Sequence, residues 1–73
     1  MFKAGDAFIE NNGYFVALRV SSNEIAGIFI EYQGGFFYTH RNIETLRQNI
    51  QDEWVGIAND KQKRKIMKYV FIG

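Results

Sequence analysis

The sequence predicts an α+β domain, a small antiparallel β-meander of four to five strands with one main helix packed on one face. Three observations predict it. Asn12-Gly13 and Gly34-Gly35 each sit between apolar runs, as two-residue hairpin turns do. Apolar residues alternate with period two as far as His40. Beyond His40 the apolar spacing changes to three and four residues, the period of a helix.

The candidate strands run from Asp6 to Glu10, Gly13 to Val20, Glu24 to Tyr32 and Phe36 to His40. Two-residue turns set Asn11 opposite Tyr14 and Gln33 opposite Phe36, and an odd-length loop spans Ser21 to Asn23. Alternation then sorts the side chains onto two faces. One is mostly aliphatic, with Ala7, Ile9, Val16, Leu18, Val20, Ala26, Ile28 and Ile30 joined by Tyr14, Tyr32 and Phe37. The other carries Phe8, Phe15, Phe29, Phe36 and Tyr38 among Asp6, Glu10, Arg19, Glu31 and His40. In this register Asp6 faces Arg19, and Phe15 faces Phe29 beside Ala17 and Gly27, leaving a shallow dent for an incoming ring.

Asn42 is placed to cap a helix from about Asn42 to Glu53, because its side-chain oxygen can accept from a free first-turn amide. Ile43, Leu46, Ile50 and Trp54 form its apolar stripe, expected to cover the aliphatic face. Gly56 and Asn59-Asp60 end or kink it. The last segment supports two readings. Lys61 to Lys68 holds good helix formers that Asp60 can cap, whereas Lys65 to Ile72 is rich in Val, Ile, Phe and Tyr and alternates. The expectation is a basic turn or loop leading into a final strand. Phe2 followed by Gly5-Asp6 resembles the lead-in to small SH3-like barrels over a handful of residues, so an SH3-like small barrel with a helix is the alternative architecture.

Seventy-three residues suit one domain, residues 1–73, and a domain of that size is marginally stable without dense packing or self-association. A hydrophobic fraction of 47% and an aromatic fraction of 16% argue against a disordered chain. Cysteine is absent, which excludes disulfides and thiolate metal sites and fits a reducing, cytoplasmic setting. No apolar stretch approaches the roughly 20 residues of a membrane-spanning helix, and no membrane partner is expected. Charge is uneven. Four basic residues against all eight acids leave residues 1–60 at −4, while Lys61, Lys63, Arg64, Lys65 and Lys68 put residues 61–73 at +5.

Catalytic equipment is sparse. His40 is the lone histidine, and in the expected register Glu31 and Tyr38 lie beside it on a mixed polar sheet edge. Gly34-Gly35 joins two antiparallel strands with no helix N-terminus behind it, so it is no phosphate loop. The sequence therefore points to a non-enzyme with no metal and no cofactor. The expected function is protein binding, as an inhibitor, adaptor or small accessory protein, through Phe15, Arg19, Phe29, Glu31, Tyr38 and His40. Self-association, most simply as a homodimer, accompanies it. The alternative is single-stranded nucleic-acid binding by ring stacking, with the basic segment Lys61 to Lys68 following phosphates. A third reading makes the rings core, covered by the C-terminal strand and the sheet's own curl.

Overall fold

The computed structural model describes the backbone of residues 1–72 and the side chains of residues 1–69. Its sheet has five antiparallel strands, β1 (Ala7–Glu10), β2 (Gly13–Val20), β3 (Glu24–Glu31), β4 (Phe36–Asn42) and β5 (Gly56–Ile57). They lie in the order β4-β3-β2-β1-β5 and do not close into a barrel, which removes the SH3-like alternative. Two helices follow the meander, α1 (Ile43–Gln51) and α2 (Asp60–Ile72), one against each face.

Helix α1 covers the aromatic face, not the aliphatic one. Ile43, Leu46 and Val55 are buried with Phe8, Phe15, Ala17, Ile25 and Phe29, and Ile50 packs alongside. Nine residues at 1.5 Å make α1 about 14 Å long, the width of three strand spacings, so it can carry the chain from the β4 edge across to β1, and Asp52 to Val55 complete the step to β5. The cap is as expected, with the Thr45 amide donating to Asn42 Oδ1 at 3.0 Å. The fourth member of the predicted stripe, Trp54, is instead 76% exposed.

The helix stops before Gly56. The Trp54 amide reaches the Asn49 carbonyl at 2.8 Å and the Glu53 amide reaches the Ile50 carbonyl at 3.1 Å, the paired bonds of a Schellman terminus. Glu53 takes the left-handed position of that motif, at φ 64°, where glycine is usual. Glu53→Gly is therefore expected to stabilise the fold by about 0.5–1 kcal/mol and raise Tm by about 4 °C in a thermal melt. An unchanged or lower Tm would show that the Glu53 side chain offsets its backbone strain.

Residues 60–72 are helix, not a loop and strand. Asn59, rather than Asp60, is the cap, in a reciprocal box where the Gln62 amide donates to Asn59 Oδ1 and the Asn59 amide to Gln62 Oε1, both at 2.8 Å. The cap overrides the β-propensity of the end of the segment, whose Val70, Phe71 and Ile72 side chains lie outside the described residues. Ile66 and Met67 pack on Ala7, Ile9, Tyr14, Val16, Ile28 and Ile30, so α2 is the cover of the aliphatic face.

Register departs from expectation at three places. The first hairpin turns at Asn11-Asn12, with Glu10 opposite Gly13 and Ile9 opposite Tyr14. Gly13 has no positive φ. It is needed instead for close approach, since a Cβ there would overlap the Ile30 carbonyl. In β2 a bulge at Leu18 puts Arg19 opposite Ala26 and Val20 opposite Ile25, turning Val20 toward the α1 core. The third difference matters most. Phe36 pairs with Ile30 rather than the chain reversing at Gly34-Gly35 alone, so β4 slips by an odd number of residues and every β4 side chain changes face.

Candidate functional site

The expected binding set is dispersed by these shifts. Phe15 is fully enclosed and Phe29 is 9% exposed, both beneath α1. They do face each other, as expected. The dent beside them is filled from within, because a Cβ on Gly27 would stand 2.8 Å from Phe15 Cζ and one on Gly13 2.9 Å from Phe29 Cζ. Each ring lies on the glycine of the facing strand. Glu31 ends β3 beside the turn, opposite Gly13, and does not meet Tyr38 or His40. Tyr38 pairs with Ile28 and His40 with Ala26, on the face that carries α2 but beyond the residues packed against it. Arg19 no longer faces Asp6, which accepts from the Lys3 amide at 2.9 Å and sits 3.7 Å from Lys63 Nζ.

What the structure does bring together is Arg19, Tyr38 and His40. With Leu18, Ala26, Gly27 and Thr39 they line an open groove of about 430 Å³ to which no described side chain of α2 contributes. Tyr38 is 78% exposed and Phe36, two residues along the same strand face, 57%. His40 Nε2 lies 3.9 Å from Glu24 Oε1, a solvent-exposed contact that is ionic only when the imidazole is protonated and contributes little.

The groove adjoins an open sheet edge. Strand β4 has β3 on one side and no described strand on the other. One step beyond the ladder, the Glu31 amide donates to the Gly35 carbonyl at 3.0 Å, which identifies alternate pairs as the bonded ones. Phe37, Thr39 and Arg41 thus turn their amides to β3, and Phe36, Tyr38 and His40 turn theirs outward. Edge strands are usually protected by lysine, proline or a bulge. The sequence Phe36–Asn42 contains no lysine or proline, and its ladder with β3 runs without a bulge. Its one strong charge, Arg41, is turned inward. Arg41 makes a two-pronged bond to Glu10, Nε to Oε2 at 3.1 Å and Nη2 to Oε1 at 2.9 Å, with its guanidinium 4.7 Å from the centre of the Phe15 ring. That bridge between the β4 and β1 strands steadies the edge, and Nη1 of the same guanidinium donates to the His40 carbonyl at 2.9 Å, leaving the main-chain groups of Phe36 and Tyr38 open.

Sequence reasoning left Phe36 and Leu18 out of the expected binding set and read the sheet edge at His40 only as a mixed polar one. The signal available was an apolar run, Phe36-Phe37-Tyr38, lacking the protective residues of an edge strand. At the opposite end of the sheet the Tyr32 hydroxyl donates to the Glu10 carbonyl at 3.1 Å, and loss of water, with Tyr14 and Glu10 nearby, raises its pKa above the ordinary value. It remains protonated at neutral pH.

The basic set is a helix face. Lys61, Arg64, Lys65 and Lys68 are exposed along α2, while Lys63 turns toward Asp6. Among the described residues no group of acids and histidine is arranged to hold a metal ion, and no helix is long and apolar enough to cross a membrane. No protein-family model, curated protein or solved structure matches the chain.

Proposed function

We propose that this domain is a non-catalytic protein-binding module, acting as an inhibitor, adaptor or accessory protein through the β4 edge and the aromatic strip beside it. One observation carries the reading: Phe36 and Tyr38 combine outward main-chain amides with exposed rings on a strand that nothing in the described chain covers. Main-chain pairing supplies affinity in strand addition, and flanking side chains supply selectivity. The groove at Leu18, Arg19 and His40 offers a pocket for one such side chain.

The test is capture by the immobilised domain from a nuclease-treated extract, with Tyr38→Ser beside it. Tyr38 is so exposed that its replacement leaves melting nearly unchanged. The expected result is a protein retained by the wild type and lost with Tyr38→Ser. Identical capture by both rejects β4 as the binding surface.

A second reading, single-stranded nucleic-acid binding, is favoured by one arrangement. Phe36 and Tyr38 lie on the face that also carries α2, with its exposed Lys61, Arg64, Lys65 and Lys68. A net charge of only +1 weighs against it. Failure to bind a labelled single-stranded oligonucleotide at low salt rejects this reading.

A further inference from the structure

Resting on the protein-binding reading of β4, we propose that the strand it takes is β4 of a second copy of this chain. The two strands run antiparallel about a two-fold axis at Tyr38. Asn42 is committed to capping α1, which leaves Phe36–His40 as the free stretch. The two-fold register of that stretch sets Tyr38 against Tyr38 and Phe36 against His40 of the other copy. All three outward amides then meet outward carbonyls, and no like formal charges face one another across neutral side chains. Arg41 is held by Glu10 and also donates from Nη1 to the His40 carbonyl at 2.9 Å, so that oxygen accepts the Phe36 amide of the second copy on its other lone pair.

The available area fits a second copy. At about 200 Å² for each ring, the open fractions of Phe36 (57%), Phe37 (49%) and Tyr38 (78%) come to roughly 700 Å² over two copies. His40 and the strand backbone add to that area, and the pair approaches the ~1,000 Å² at which specific association begins where the rings of the two copies cover one another. The axis stands perpendicular to the sheet, so both α2 helices fall on the same side of one continuous ten-stranded sheet. The groove at Leu18, Arg19 and His40, walled in a single copy by Tyr38 and Thr39 of its own β4, gains Tyr38 and Phe36 of the second copy beyond that wall. The result is a trough with an aromatic floor between two basic helices.

Sedimentation at high micromolar concentration tests the pairing, with Tyr38→Pro and Tyr38→Lys as variants. Proline removes an amide that points away from β3, and lysine would face itself across the axis. The expected result is a wild-type dimer that either variant weakens about tenfold or more. If proline disturbs folding, seen as a lowered melting temperature, the lysine variant decides. The register has its own check in a chain without cysteine. Tyr38→Cys should oxidise to a covalent dimer, since bonded partners across an antiparallel ladder stand about 5.5 Å apart at Cα, within disulfide reach. Arg19→Cys should not. A monomeric wild type, or a dimer indifferent to both Tyr38 variants, overturns the proposal. In the monomeric case, continued capture of a foreign protein that Tyr38→Ser abolishes keeps the broader reading of β4, so the two failures are distinguishable.

Discussion

Alanine at position 15 is expected to cost about 3–5 kcal/mol and to leave the domain largely unfolded at 25 °C. Phe15 has no exposed surface. Its ring stacks on Phe8 at 6.3 Å, lies under the Arg41 guanidinium at 4.7 Å, and packs in the cluster that Ile43 and Leu46 close from above. Removing it leaves a void that the sheet cannot close without disturbing the Arg41–Glu10 bridge, and a small domain has little stability in reserve. The matched control is Phe36→Ala, which truncates a ring already 57% exposed and is expected to cost less than about 1 kcal/mol. Thermal and urea melts followed by circular dichroism measure both. A near-normal melt for Phe15→Ala would mean that α1 does not lie over this face.

The contrast between Phe15 and Phe36 also shows what the chain discloses before folding. Strand locations, the antiparallel meander and the Asn42 cap all follow from local chemistry, and they were legible because alternation and capping act within a few residues. Facing is different. The turn near Gly34-Gly35 takes up extra residues, since the Gly34 amide bonds back to the Glu31 carbonyl at 3.0 Å and both glycines carry positive φ. The odd slip in β4 moved Tyr38 and His40 to the opposite face from Phe15 and Phe29, splitting one expected site into a core and a surface. A bulge at Leu18 did the same to Val20.

Helix assignment to faces was hidden for a related reason. Both sheet faces are apolar, so periodicity alone does not say which one α1 takes. The tail was misread because Tyr69 and the residues after it favour strands by propensity, while the Asn59–Gln62 box starts a helix ten residues earlier. A helix begun by a strong cap continues while Ile66 and Met67 find Val16 and Ile28 to pack on.

The glycines that matter most for stability are those the rings lie on. Gly27→Ala is expected to cost about 3 kcal/mol or more. Gly27 faces Ala17 at the last regular pair before the bulge. A Cβ there would overlap the Val16 carbonyl and approach Phe15 Cζ to 2.8 Å. Neither neighbour is free to yield, because Val16 is fixed by its ladder partners Ala7 and Ile28, and Phe15 is enclosed on every side. Gly34→Ala makes the comparison informative: nothing lies within 4 Å of its Cβ position, but φ of +95° strains any other residue there, at about 1 kcal/mol. The first cost is steric and central, the second conformational and confined to a turn. Pairing Gly27→Ala with Phe15→Leu separates the two obstacles at position 27. The shorter side chain relieves the ring contact but not the carbonyl overlap, so the double variant should be more stable than the sum of the single losses implies while still falling short of Phe15→Leu alone. Strict additivity in urea melts would place the whole cost at the Val16 carbonyl and remove the ring from the account.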